Sequence, residues 1–305
     1  MLNTIFNEDC RTGLRRLPDN SIDCCVTSPP YFGLRDYGVS GQIGLEASPE
    51  AYIVQLVEVF TEVRRILKQK GTLWVNIGDS YAGSGRGKGD INKKGIQQKA
   101  SYVGDFIKPY RLDGYKNKDL IGIPWLLAFA LRASGWYLRQ DIIWSKPNPM
   151  PESVTDRCTK SHEYIFLFSK SAKYYFDSEA IQTDTMGSEH DKKSRIGRKT
   201  YPTERINGIR NSGGYYPKAN KRDVWTVCTS PEPEAHFACF PQMLIMDCIK
   251  AGCPENGIVL DPFMGSGTTA VVARKLDRNF IGFELNPQYV KIAKTKLKRE
   301  LGFFQ

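Results

Sequence analysis

Short apolar runs alternate along the chain with longer stretches in which apolar residues return every third or fourth position. "NTIFNED" and "IDCCVT" have the length and composition of short buried strands. Ser48-Pro49 then caps a predicted helix with Pro at its first position, and Tyr52, Ile53, Leu56, Val57, Phe60, Val63 and Leu67 fall on one face. Gly71 is expected to stop that helix before the strand "TLWVNIG". Pro124 opens a second apolar helix, "PWLLAFALRAS", which Gly135 ends; "WYLRQDIIW" and "HEYIFLFS" follow as strands, with "KYYF" expected as another beyond a hairpin turn. From Pro241 the pattern is the helix "PQMLIMDCIKAG", the strand "GIVLD", a Gly-rich turn, a helix to Leu276, the strand "NFIGFE" and a last helix from Asn286-Pro287. Strands separated by amphipathic helices predict an α/β fold, doubly wound around a mainly parallel sheet covered on both faces.

Two segments break this rhythm, and they hold the excess charge. The chain of 305 residues carries a net charge of +10. Ala82–Lys118 has nine Lys/Arg against three Asp/Glu, and Met186–Arg222 has ten against three. Together they account for +13, which leaves −3 for all other residues. A single basic run is usually a solvated loop. Two in an otherwise slightly acidic chain favour a polyanionic partner, with nucleic acid the first candidate. The start "MLNTIFNEDC" turns acidic too soon for a signal peptide, and no apolar run reaches the length of a membrane span. The eight cysteines include no C-x-x-C pair and only three histidines accompany them, so reduced core cysteines in a cytoplasmic protein are expected, and no metal site.

The candidate chemistry lies in two turns. In "VLDPFMGSGTTAVVARKLDRNFIGFE", Gly265 and Gly267 permit a tight turn and close approach to a ligand, and the helix that follows offers free N–H groups. Asp261 ends the first strand and Glu284 the second, where ligands of doubly wound sheets bind. A phosphate-cradling P-loop is excluded, because Gly267 is followed by Thr268 rather than Lys. A dinucleotide fingerprint fits formally through Gly265, Gly267 and Ala270, but only 21 residues follow Glu284. S-adenosylmethionine (AdoMet) needs the same glycine turn and a carboxylate for its ribose. The second turn is Thr27-Ser28-Pro29-Pro30-Tyr31, a strand that ends on a rigid corner poor in donors. Carbonyls and the Ser28 hydroxyl set above the Tyr31 ring suit a base bearing an exocyclic NH₂. Alone, the corner reads equally well as a strand cap with a packed tyrosine.

"TSPPY" together with "DPFMGSGTT" resembles the amino-group DNA methyltransferases, which modify N4 of cytosine or N6 of adenine. The catalytic motif comes first in the chain and the AdoMet motif near residue 265, which is similar to the circularly permuted β group. That resemblance implies a seven-stranded methyltransferase sheet whose N-terminal strands complete the half that begins at Gly257. "NEDCRTGLRRLPDNSID" resembles the segment whose acid reaches the adenine, implying Asp9 with Cys10 beside it. "AHFACFPQMLI" resembles the segment before the AdoMet strand, implying His236, Phe237 and Ala238 near the methionine end. The remaining cofactor positions implied are Thr27, Asp261, Pro262, Phe263, Gly265, Ser266, Gly267, Thr268, Thr269 and Glu284.

On this reading the catalytic set is Ser28, Pro29, Pro30 and Tyr31, with Asp79 of "NIGDSY" either polarising Ser28, taking the proton, or simply ending a strand. Ser28 and the Pro29 carbonyl would take hydrogen bonds from both amino hydrogens and orient the nitrogen. A C5-cytosine enzyme is disfavoured, since none of the cysteines follows a proline. Ser at the head of the tetrapeptide resembles mostly N4-cytosine enzymes, with N6-adenine as the alternative. The expected organisation is 1–81 and 119–176 as the catalytic half, 82–118 as a mobile loop on DNA, 177–222 as the target-recognition segment and 223–305 as the AdoMet half. Double-stranded DNA is the implied partner. The resemblance also leaves room for a homodimer and a cognate restriction endonuclease. Two rival classes are a protein or RNA methyltransferase, which would carry its proline motif after the glycine motif, and a DNA-binding protein without catalysis.

Overall fold

The computed structural model describes residues 1–83, 105–106, 112–184, 218–229 and 240–302. In chain order the main elements are β1 (Thr4–Asn7), α1 (Cys10–Arg15), β2 (Ile22–Thr27), α2 (Pro49–Ile66), β3 (Leu67–Ile77), α3 (Ile123–Ala133), β4 (Tyr137–Ser145) and β5 (His162–Ser169). They continue with β6 (Val224–Thr226), α4 (Gln242–Gly252), β7 (Ile258–Asp261), α5 (Thr268–Lys275), β8 (Asn279–Glu284) and α6 (Pro287–Leu301). The eight strands form one sheet in the order β1-β8-β7-β2-β3-β5-β4-β6. Only β5 runs antiparallel to its neighbours.

The sheet joins distant parts of the chain at its centre. Val259 and Leu260 of β7 pair in parallel with Cys24 and Cys25 of β2, so the N-terminal strands do complete the half that begins near Gly257. Alternation along each strand sorts side chains to two cores. Cys25, Leu73, Val75, Phe166, Phe168, Leu260 and Ile281 face α1, α2 and α3, while Cys24, Val26, Trp74, Ile165, Leu167, Val259 and Phe280 face α4 and α5. The helix starts follow local rules. Ser48 Oγ accepts from Ala51 N–H at 3.2 Å before Pro49, and Asn286 Oδ1 accepts from Gln288 N–H at 2.9 Å before Pro287.

Several elements differ from expectation. The sheet gains an eighth strand, β6, which pairs in parallel with β4 beyond the seven implied ones. Helix α2 ends at Ile66 and β3 starts at Leu67, so Gly71 lies inside the strand rather than at its border. "KYYF" is no strand; Tyr175 N–H bonds to Lys70 O, and just after it Asp177 N–H bonds to Ala251 O. Of the described cysteines, all free, Cys158 and Cys228 are exposed and the others buried. Most of the two basic segments lies outside the described residues.

One close approach fixes how α1 sits on the sheet. A Cβ at Gly13 would lie 2.1 Å from Cε1 of Phe283, and the Phe283 ring is buried and stacked on Phe6 with centroids 5.7 Å apart. Gly13→Ala should therefore force α1 off β8 and destabilise the fold by about 1–3 kcal/mol, read from the urea midpoint. An unchanged midpoint would show that α1 is free to shift.

Candidate active site

Because β2, β7 and β8 are parallel neighbours, their carboxyl ends emerge at one edge of the sheet. A cleft opens there. Its walls bring together Ser28, Pro29, Pro30 and Tyr31 from the corner after β2, Pro262, Phe263, Gly265, Ser266 and Thr268 from the turn after β7, Glu284 at the end of β8, and Asp9 and Cys10 at the start of α1. Thr27, Asp261, Gly267 and Thr269 stand behind this wall and do not line it. His236, Phe237 and Ala238 lie outside the described residues; Phe240, shortly after them, lines the cleft.

Asp261 is the joint between the two turns. It is 1 % exposed. The Thr27 hydroxyl donates to its Oδ1 at 2.6 Å, the Thr269 hydroxyl to its Oδ2 at 2.6 Å, and Phe263 N–H to Oδ1 at 3.0 Å. Burial pushes the carboxyl up to about 6, against the pull of these donors. Sequence reasoning placed Asp261 against the cofactor. Its oxygens are instead occupied in holding β2, the glycine turn and α5 together.

Glu284 has a comparable task nearer the cleft. Its Oε2 accepts from Gly265 N–H at 2.8 Å and its Oε1 from Asn286 N–H at 2.8 Å. A carboxylate has about four lone-pair sites, so both oxygens keep acceptor capacity toward the cleft. Burial raises the Glu284 carboxyl and the two amides hold it down, with a net upward shift. At Gly267 φ is +83° and a Cβ would lie 2.8 Å from Cβ of Ala293, so the turn needs glycine for its backbone and for the close approach of α6. Lys296 on α6 is buried, and its Nζ bonds to the Thr268 hydroxyl at 2.9 Å. On the opposite wall, Asp9 Oδ1 caps α1 through Arg11 N–H at 2.8 Å, and its carboxylate pairs with the Arg11 guanidinium at 2.5 Å. Burial works against this charge, but Arg11 prevails and the Asp9 carboxyl is lowered. Burial lifts the Cys10 thiol to about 12, which leaves it neutral and unreactive.

The proline corner is held from behind. The buried Tyr52 hydroxyl donates to the Pro30 carbonyl at 2.7 Å, so the corner has its own tether from α2. The Tyr31 hydroxyl donates to Glu163 Oε2 on β5 at 2.6 Å. Asp79, for which the sequence left both a catalytic and a plain strand-end reading open, stands just after the end of β3. Its Oδ1 accepts from Ser80, Gly122 and Ile123 N–H at 2.8, 3.0 and 3.0 Å. Gly122, the N-cap residue of α3, has no side chain to cap that helix, and Asp79 does so from the end of β3. Its carboxylate is taken up as a cap rather than turned to Ser28. Tyr52 and Glu163 were missed because each looks like an ordinary position of an amphipathic helix or strand. The cleft-lining stretch around Tyr37, Gly41 and Gln42 was also missed; the Gly-rich "YGVSGQIG" directly after the corner was its only signal.

A mainly parallel sheet with an AdoMet-type glycine turn and a Ser-Pro-Pro-Tyr corner in one cleft defines a methyltransferase of the amino-group class. Residues 22–295 match the family model described as DNA methylase, of the N6/N4 type. The chain is 47 % identical over 297 residues to the Type II methyltransferase M.Cfr9I of Citrobacter freundii, covering 97 % of this chain and 88 % of that protein. It is 48 % identical over 291 residues to the Type II methyltransferase M.SmaI of Serratia marcescens, covering 95 % and 89 %. Among solved structures, PvuII DNA methyltransferase (cytosine-N4-specific) shares the fold with a TM-score of 0.64 at 18 % identity, covering 95 % of this chain and 84 % of that one. The Thermus thermophilus protein TTHA0409, complexed with S-adenosyl-L-methionine, does so with a TM-score of 0.60 at 22 % identity, covering 98 % and 96 %. The chain belongs to the N6/N4 DNA methylase family.

The raised carboxyl of Asp261 has a definite consequence for stability. Its folded pKa of about 6 exceeds the ordinary value of 3.8, so between these values the native state holds a proton that the unfolded chain releases. Stability from this group is present below pH 3.8 and is lost as pH rises toward 6. Relative to wild type, Asp261→Asn should flatten the stability profile between about pH 4 and 6, measured by urea unfolding. Parallel profiles would show that Asp261 ionises in the fold as freely as in water.

Proposed function

We propose that this DNA methyltransferase acts site-specifically on duplex DNA and transfers its methyl to the exocyclic N4 of a cytosine drawn out of the stack. Convergence of the proline corner and the glycine turn on one cleft carries the reading. The cofactor is AdoMet, and the cleft fits it. Glu284 offers acceptors for ribose hydroxyls, while Phe263, Ile43, Phe283 and Leu285 supply apolar walls for an adenine. Bound there, AdoMet supplies an electrophilic methyl group on a sulfonium.

The chain's own residues handle the base. Tyr52 already engages the Pro30 carbonyl, which leaves the Pro29 carbonyl and the Ser28 hydroxyl to receive the two amino hydrogens. Those bonds would orient the nitrogen lone pair toward the methyl and weaken its overlap with the ring. The Tyr31 ring, fixed at its hydroxyl, is a rigid platform on which the base stacks. Extruding a base costs a few kcal/mol, which phosphate contacts from the basic segments would offset. Met186–Arg222, within 177–222, is assigned to target recognition and 82–118 to a loop on DNA. The first half of the site comes from 1–81 and 119–176 and the second from 223–305. Ser28 favours cytosine; N6-adenine is the competing target. The protein is read as cytoplasmic and able to work beside a cognate restriction endonuclease, as a monomer or homodimer.

Methylation of mixed-sequence DNA, followed by mass spectrometry of the nucleosides and sequencing of modified positions, tests the whole reading. N4-methylcytosine at one sequence is expected, with at least about a hundred-fold less product from Ser28→Ala at unchanged AdoMet affinity. N6-methyladenine would overturn the base assignment, and full activity of Ser28→Ala the catalytic one.

A further inference from the structure

Methyl transfer to an exocyclic amine must end with the loss of a proton, and the carboxylates around the cleft differ in their freedom to take it. Asp79 caps α3 through three amides. Asp261 is held by two threonines and an amide. Glu284 binds the glycine turn, and Asp9 is paired with Arg11. Glu163 is the acid that meets the aromatic end of the proline corner, at Tyr31.

Its setting is built for this contact. Glu163 Oε2 accepts from the Tyr31 hydroxyl at 2.6 Å and from Asn76 Nδ2 at 3.2 Å. Its Oε1 is ion-paired with Lys146, and both side chains are mostly buried. Lys146 in turn lies over the Trp144 ring, 4.2 Å from its centroid. Lys160 is a second cation near the pair: burial lowers its pKa, while the charges of Asp79 and Glu163 oppose that shift. Burial and Glu163 push the Tyr31 hydroxyl up, against the pull of a hydrogen bond from Ser28, which lines the cleft beside it. Ser28, Tyr31 and Glu163 thus lead from the place where the amine would sit into a charged, shielded pocket.

We propose that Glu163 receives the proton released in methyl transfer, through Ser28 and Tyr31. The inference rests on the amino-methyltransferase reading above. As the carbon–nitrogen bond forms, the carbon–sulfur bond breaks and its electron pair stays on sulfur. The amine proton passes to Ser28 Oγ, the Ser28 proton to the Tyr31 oxygen, and the Tyr31 proton to Glu163 Oε2. Both hydroxyls end as they began and Glu163 ends neutral. The positive charge that leaves the sulfonium appears on Lys146, whose partner has been neutralised. No outside acid or base is consumed. Glu163 acts through Tyr31 and never touches the base.

Glu163→Gln separates this role from support, because the Gln carbonyl still accepts from Tyr31 but is no proton acceptor. Three quantities are measured on DNA containing the site that the wild type modifies: the single-turnover methylation rate, AdoMet affinity, and fluorescence of 2-aminopurine placed at the target position. Glu163→Gln is expected to slow single turnover about ten-fold or more, with AdoMet affinity and the 2-aminopurine signal unchanged. Tyr31→Phe, which keeps the ring and cuts the chain, should be similarly slow, and the double variant no slower than the slower single one. A wild-type rate in either single variant overturns the relay. So does a slow Glu163→Gln that has also lost AdoMet affinity or the 2-aminopurine signal, since the residue is then only structural. Absence of DNA methylation by the wild type would overturn the underlying reading and the relay with it. Normal wild-type methylation with an unimpaired Glu163→Gln overturns the relay alone.

Discussion

The buried carboxylate of Asp261, gripped by Thr27 on one side and Thr269 on the other, is the contact on which the site depends. Thr27 is the last residue of the strand that runs into the proline corner. Thr269 belongs to the helix that leaves the glycine turn. A single side chain therefore fixes the distance between two loops that the sequence separates by more than 230 positions. Burying an acid in this way is costly, as its raised carboxyl shows. The cost is tolerated because three donors converge on it and because parallel pairing of β7 with β2 leaves no other place for the strand ends.

Around that joint the site divides its acids by task. Asp261 and Asp79 are structural: one holds strands together and the other caps a helix from a distance. Glu284 shapes the glycine turn while keeping acceptors toward the cleft. The proline corner is rigid for reasons that lie on both sides of the sheet edge, the Tyr52 hydroxyl from α2 and Glu163 from β5. Prolines alone could not do this, since they fix backbone angles but not the position of a ring.

Much of this was legible in the sequence because it rests on local chemistry. Strand–helix alternation announced the parallel sheet, and Ser48-Pro49 and Asn286-Pro287 announced two helix starts. The paired strand ends at Asp261 and Glu284 announced the cofactor half. What stayed hidden depends on contacts between remote elements. No local signal reveals that Gly122 lacks a cap and borrows Asp79, so the sequence left that aspartate between a part in the chemistry and a plain strand end. Tyr52 and Glu163 are likewise ordinary positions of their own elements until the fold sets them against Pro30 and Tyr31. "KYYF" shows the converse, a good strand pattern whose backbone partners lie elsewhere.

A double-mutant cycle in AdoMet affinity tests the joint most directly, using Thr27→Val, Asp261→Asn and both together. Strong non-additivity is expected, with a coupling of about 1 kcal/mol or more, because each change releases the same bridge. Independent effects that simply add would contradict this, since the proline corner and the glycine turn would then be held in register by something other than this carboxylate.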